Sequence, residues 1–358
     1  MKITAWITVL LLTLSSSVSA ARLVNLYADE AILAQSASQT EQNNAVREAL
    51  GRVLVRVTGD ADITRRQAVQ GAMRSANDYL STFRFERSDV TFTNVLGEAV
   101  PTNRMVMQFD SGSIEQLLVR NRLPIWGRNR AETLVWMADR LDGQDRILAD
   151  TDQSEWTRAL RQAATQRGVP LTLPLMDLTD TLDLSFTDVY GLFTSDVLAA
   201  SERYPHDAVL VGRIERQGDA YQADFVYLIQ NDRQRFEARG SDEAELMANI
   251  IDRVTRRLAD QYAVVLDPAL AGRVALRINE VNDLSALAEI ERYLKAQNLI
   301  TKATLRQVEP GSLLFDLNIS GDQAQLRDTL ALDAMLTPVQ QFDLFSGGSE
   351  ELVYRWAR

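Results

Sequence analysis

Few side chains in this chain could act on a substrate. It has one histidine, His206, and no cysteine. Cys nucleophiles, thiolate zinc sites and Fe–S clusters are therefore excluded, and one imidazole cannot build a multi-His metal site. His206 stands in Tyr204-Pro205-His206-Asp207. Asp207 could tune it as a general base, but a triad needs a presented Ser, and no G-x-S-x-G elbow occurs. His206 reads instead as a turn residue bonded locally. Asp139, Asp142 and Asp145 are spaced by three, whereas calcium loops place hard oxygens at alternate positions, so this reads as a polar loop. Asp177, Asp180, Asp183 and Asp188 form a second acidic stretch. No phosphate-cradling Gly-rich loop and no H-E-x-x-H is present. No metal, no cofactor and no catalytic residue is expected. The one chemistry left open is glycoside hydrolysis by two carboxylates, whose separation of about 5–9.5 Å is not visible in sequence.

The most basic stretch is residues 120–130, with Arg120, Arg122, Arg128 and Arg130 around Leu123-Pro124-Ile125-Trp126. Such a cluster can grip a polyanion with the Trp stacking on it. It can equally dock two domains, the Arg side chains pairing with acids while Ile125 and Trp126 fill the crease. The second reading is preferred: Arg120, Arg122, Ile125, Trp126, Arg128 and Arg130 form the candidate interface, with the arginines facing acids of residues 132–262. A sequence pI near 4.8 argues against nucleic acid as the partner.

With 46% hydrophobic and 24% charged residues, the 358-residue chain can bury enough surface to fold, which excludes fibrous and disordered classes. It carries a net charge of -11, and 35 of its 38 basic residues are Arg. Lys2, the apolar run 3–14 and Val18-Ser19-Ala20 have the layout of a signal peptide cut between Ala20 and Ala21. No Cys follows, so no lipid anchor is expected. No other segment approaches about 18 uninterrupted apolar residues, so no transmembrane segment is expected in the mature chain. Export without disulfides suits a periplasmic protein large enough to build cores.

Periodicity and charge divide the mature chain into three blocks: 21–131 (net +2), 132–262 (net -10) and 263–358 (net -4). In the first, an N-terminal α+β domain, residues 21–34 alternate as a strand. Helical spacing follows from Thr40 to Gly59 and again over 64–83, then strands at 84–95 and 104–109 and a short helix at 113–120. The central α/β domain reads βαβαβββα: strand 133–138, helix 154–166, strand 169–176, helix 189–204, strands 208–214, 221–229 and 233–239, helix 244–262. The third block reads βαββαβ, which is ferredoxin-like, with a loop at Gly347-Gly348 before the last strand. The fold class is thus multi-domain α/β and α+β.

Leu26-Tyr27, the helix Arg47-Glu48-Ala49-Leu50-Gly51-Arg52-Val53-Leu54-Val55-Arg56-Val57-Thr58-Gly59, Leu123-Pro124-Ile125-Trp126, Pro174-Leu175-Met176-Asp177 and Ala208-Val209-Leu210-Val211-Gly212-Arg213-Ile214 together resemble the exported proteobacterial proteins of domain of unknown function 2066. The central block resembles, more weakly, the α/β domains of envelope-assembly factors, namely the curli-secretion lipoprotein and the N-terminal domain of the Tol-system propeller protein. These resemblances imply a periplasmic, non-catalytic binding or envelope-assembly module that meets another envelope protein through its surfaces. The competing class is a carboxylate hydrolase acting on cell-envelope glycan.

Overall fold

The computed structural model describes residues 25–128, 130–141, 143–230, 232–266, 271–297, 299–331, 335–339 and 351–357. The expected signal peptide and its Ala20/Ala21 cut, Asp142 and Gly347-Gly348 lie outside these residues. Ten helices and three sheets are found among them, a mixed α/β architecture in which each sheet has a core of its own.

The first unit begins with β1 (Ala28–Ala34) and α1 (Gln39–Thr58). Ser38 caps α1 through a reciprocal box with Glu41, and Gly59 ends it in the left-handed region at φ 71°. The expected helix over 64–83 is broken. A 3-10 turn at Ile63–Arg65, α2 (Gln67–Arg74) and a 3-10 turn at Ala76–Tyr79 replace it, and Leu80 already starts a strand. The antiparallel β2 (Leu80–Thr93) and β3 (Ala99–Phe109) then form a long hairpin, followed by α3 (Ser111–Arg120). The sheet order β1-β3-β2 leaves β2 at an edge. Met105, Met107 and Phe109 of β3 pack with Val46, Leu50, Val53 and Val57 of α1.

In the second unit β4 (Thr133–Leu141) and β5 (Gln144–Ile147) form a hairpin, followed by α4 (Glu155–Arg167) and the two-residue β6 (Leu171–Thr172). Asp139 and Asp145 therefore lie not in a loop but on the two paired strands of this hairpin. Three short helices come next: α5 (Leu178–Asp183), α6 (Phe186–Tyr190) and α7 (Thr194–Ser201). The single helix expected over 189–204 is divided because Ser185 caps α6 earlier and Leu192 turns at φ 58°. β7 (Ala208–Gln217), β8 (Ala220–Ile229) and β9 (Asp232–Gly240) form a meander closed by α8 (Glu243–Tyr262). The main order is β5-β4-β7-β8-β9, with β4 and β7 parallel.

Strand alternation sends this sheet's side chains into two layers. Val135, Met137, Leu210 and Phe225 meet α4 and α8, while Leu134, Trp136, Val209 and Val211 meet α5–α7. Gly212 must stay small, since a Cβ there would lie 2.6 Å from Met137 Sδ and 3.1 Å from Phe225 Cβ.

The third unit runs β10 (Ala271–Val281), α9 (Leu284–Ala296), β11 (Ile300–Glu309), β12 (Gly311–Ser320), α10 (Gln323–Leu330), β13 (Leu336–Pro338) and β14 (Leu352–Trp356). The first three strands and two helices follow the ferredoxin-like course. The end differs: the last strand enters between β10 and the short edge strand β13 and runs parallel to β10.

Gly59 tests how tightly the first two units meet. A Cβ at this position would stand 2.2 Å from the Ala259 Cβ of α8. Gly59→Ala should combine left-handed strain with this clash and destabilise by about 3 kcal/mol or more. Gly97→Ala, at φ 80° with open space around it, should cost only about 1 kcal/mol. Denaturant midpoints of the two variants check the difference; equal midpoints would contradict the close contact.

Candidate functional site

The segment after α3 joins all three units. Ile125 belongs to the first unit's core and its neighbour Trp126 to the second unit's. Ile125 also exchanges two backbone hydrogen bonds with Val264, at 2.9 and 3.0 Å, and Val264 packs in the third unit's core. The Trp126 amide donates to Val57 O at 2.7 Å. Its buried indole N–H finds no acceptor, so this ring contributes area and a π face rather than a hydrogen bond.

Against that face lies Arg130, with its Cζ 3.6 Å from the ring centroid. The side chain is 1% exposed. Its guanidinium donates to five carbonyls: Gly127 O and Arg167 O at 3.0 Å, Gly168 O at 3.0 Å, Arg56 O at 2.6 Å and Trp126 O at 3.1 Å. Arg56 O belongs to the last turn of α1, and Arg167 O and Gly168 O to the end of α4. The last carbonyls of a helix lack internal partners and carry the negative end of its dipole, so one cation caps two helices of different units.

Arg56 extends the arrangement. It donates to Gln166 O of α4 at 3.2 Å, to Ala28 O at 2.6 Å and to Asp29 Oδ2 at 2.7 Å. Burial, and then the Arg56 charge, hold the pKa of Arg130 well below the usual guanidinium value. Burial and then the hydrogen bond to Glu115 raise that of the adjacent Tyr27 phenol.

This geometry corrects one expectation. The four arginines of 120–130 do not face acids of the second unit. Arg130 is held by carbonyls, and Arg128 lies over the Tyr27 ring of the first unit at 5.3 Å. Arg120 and Arg122 are exposed, with no ion pair among the described residues. Main-chain dipoles, not carboxylates, supply the negative field, and sequence charge counting does not see them. Gly168 was the available signal: it ends α4 at φ 65°, and a Cβ there would meet Arg56 Cγ at 2.7 Å and Arg130 Nη1 at 2.9 Å.

His206 is half-buried, its Nδ1 2.9 Å from Tyr204 O. Asp139 pairs with Arg146 at 2.8 Å, and Asp145 with Arg140 at 2.6 Å. Half-buried Asp29 and buried Asp180 and Asp224 are each bonded to arginine, at 2.7 to 2.8 Å. No group of three His, Cys, Asp or Glu is placed to hold a metal among the described residues, and no helix there is long and apolar enough to cross a membrane.

Of two grooves of about 570 and 350 Å³, the first is lined mainly by charged groups and the second by charged and small or apolar residues in equal part. The larger lies between β9 and α8 at Arg239, Asp252, Arg253 and Arg256; the smaller lies between Asp60 and Arg66 of the first unit and α8.

Apolar side chains do reach solvent in two places. The β2–β3 hairpin exposes Phe83, Phe85, Val90, Phe92, Val95 and Leu96. The α5–α7 layer exposes Leu175, Leu178, Leu182, Phe193 and Leu198. That layer is held by polar bonds at its surface and beneath it. Arg203 grips Asp177 and Asp180, Tyr204 Oη donates to Asp180, and Trp136 Nε1 donates to Ser201 Oγ at 2.9 Å. The Arg203 hydrogen bond holds the Asp177 carboxyl below the usual range, and burial pushes the Tyr204 phenol up to about 12.

Residues 20–127 match the family model of a domain of unknown function (DUF8605). The match spans the first unit and ends inside the junction, between Trp126 and Arg130. No curated protein and no solved structure matches the chain.

Trp126→Ala should destabilise the protein by about 3–5 kcal/mol, the range for emptying an aromatic site in a core. Arg130→Gln should be of similar severity, because it orphans carbonyls at two helix ends. Arg120→Gln and Arg122→Gln should stay within about 0.5 kcal/mol of the parent. Equilibrium denaturation compares them; equal effects of Arg130→Gln and Arg122→Gln would refute the capping role.

Proposed function

We propose that the chain is an exported, periplasmic, non-catalytic binding or assembly module of the cell envelope, meeting another envelope protein through a surface. The observation that carries this reading is the outer face of α5–α7. Leu178, Leu182 and Leu198, which such a layer would normally turn inward, stand 42% to 76% exposed on helices held by the buried Trp136–Ser201 bond and the half-buried Arg203–Asp180 pair. A contiguous apolar patch is the mark of an interaction site, and Leu178 and Leu182, one helical turn apart on α5, form the start of one. Exposed Asp183 and Asp196 flank it, which suits a partner whose apolar surface is bordered by basic residues.

Export is supported by the Lys2, 3–14 and Val18-Ser19-Ala20 layout. The likeness to domain of unknown function 2066 and to envelope-assembly factors points the same way. The glycan-hydrolase reading gains nothing from the buried and half-buried carboxylates, since Asp29, Asp139, Asp180 and Asp224 are all engaged by arginines.

In vivo crosslinking followed by recovery from envelope fractions is the direct test. The recovered chain should begin at Ala21, and one envelope protein should crosslink to it. Leu178→Asp with Leu182→Asp should abolish that crosslink while leaving the thermal midpoint within a few degrees. A membrane-bound species beginning at Met1, or a crosslink indifferent to the two substitutions, would overturn the reading.

A further inference from the structure

We propose that the free edge of β2 is where two copies of this chain pair, antiparallel, about a twofold axis at Phe85. This surface is separate from the α5–α7 face, and the inference goes beyond the reading given for that face.

β2 is an edge strand of its sheet, and all of its 14 residues are exposed or half-exposed. The unpaired N–H and C=O groups of an edge template further pairing, and edges are normally blunted by proline, charged side chains, β-bulges or a covering element; the bulges of β2 fall outside Thr82–Arg87, and the charges inside that run are of both signs. β2 contains no proline, and no other described element lies along its outer side. Its exposed apolar residues are aromatic and β-branched, the types that stabilise cross-strand contacts.

The strand is complementary to itself. Between the register shifts at Leu80/Thr82 and Arg87/Thr91 the pairing with β3 is regular, and this run reads Thr82-Phe83-Arg84-Phe85-Glu86-Arg87. Placing the axis at Phe85 sets Arg84 of each copy opposite Glu86 of the other, twice over. On the other face it sets Phe85 opposite Phe85, and each Phe83 opposite an Arg87. Directly opposed residues on antiparallel strands lie about 4.5–5.5 Å apart, so these are contacts between opposite charges, between rings, and between a ring and a guanidinium.

Moving the axis to Arg84 or to Glu86 would put like charges face to face. Within one chain the same groups are already poised: Phe83 and Phe85 are edge-to-face at 5.8 Å, and Arg84 lies 2.8 Å from Glu86. An isologous contact of this kind closes at two copies and joins two three-stranded sheets into one of six.

Sedimentation velocity of the exported chain at about 100 μM, where a weak edge interface would still be populated, should show a dimer. Arg84→Glu and Glu86→Arg should each give monomer, because each sets like charges opposite one another. The double swap should restore the dimer. The chain has no cysteine, so Phe85→Cys can be oxidised alone. It should yield a disulfide-linked dimer, whereas Val95→Cys at the hairpin tip should not. A monomeric parent, single swaps that remain dimeric, a double swap that stays monomeric, or crosslinking that does not distinguish residues 85 and 95 would overturn the proposal. So would a monomer whose β2 edge is instead occupied by a foreign peptide.

Discussion

A buried arginine without a carboxylate partner organises this structure. Taking a guanidinium out of water costs several kcal/mol even after relaxation, and Arg130 recovers that cost from five carbonyl oxygens and the face of Trp126. The carbonyls converge because α1 and α4, from two different units, end at the same place. Arg56 adds a second cation there and spreads the field to Asp29 and to the end of α4. Two like charges can share the site because helix dipoles and one carboxylate surround them.

The consequences extend beyond the first two units. The segment that carries Ile125, Trp126 and Arg130 also pairs with Val264, the start of the connection into the third unit. The elements bearing the outward apolar residues therefore rest on cores joined at one junction. An exposed leucine on a frayed helix would mean little. On helices pinned by Asp180, Arg203, Tyr204 and Ser201, the same leucine presents a defined surface.

Much of the architecture was legible in the sequence, because long amphipathic helices and apolar strands announce themselves. The helix ending at Gly59, the strands around 133–138 and 208–214, and the closing helix 244–262 all have strong periodicity and clear caps. What was not legible depended on tertiary partners. The helix expected over 64–83 gave way because Leu80 to Phe83 pair with β3, and periodicity does not weigh a strand partner. The loop expected at Asp139 became a hairpin for the same reason. At the junction, residue types flagged Trp126 and the arginines, but the negative groups that hold Arg130 are main-chain carbonyls, which every sequence contains. Exposure of the β2 edge is likewise a property of sheet order, not of composition.

Amide hydrogen exchange on Arg130→Gln tests the central claim directly, that one cation holds the ends of two helices together. The amides at the C-terminal turns of α1 and α4, around Val57–Gly59 and Thr165–Val169, should lose protection together by about tenfold or more, corresponding to about 1.4 kcal/mol. Protection in α9, which lies in the third unit, should fall less than at these two ends. Loss at only one of the two helix ends, or at neither, would contradict the account.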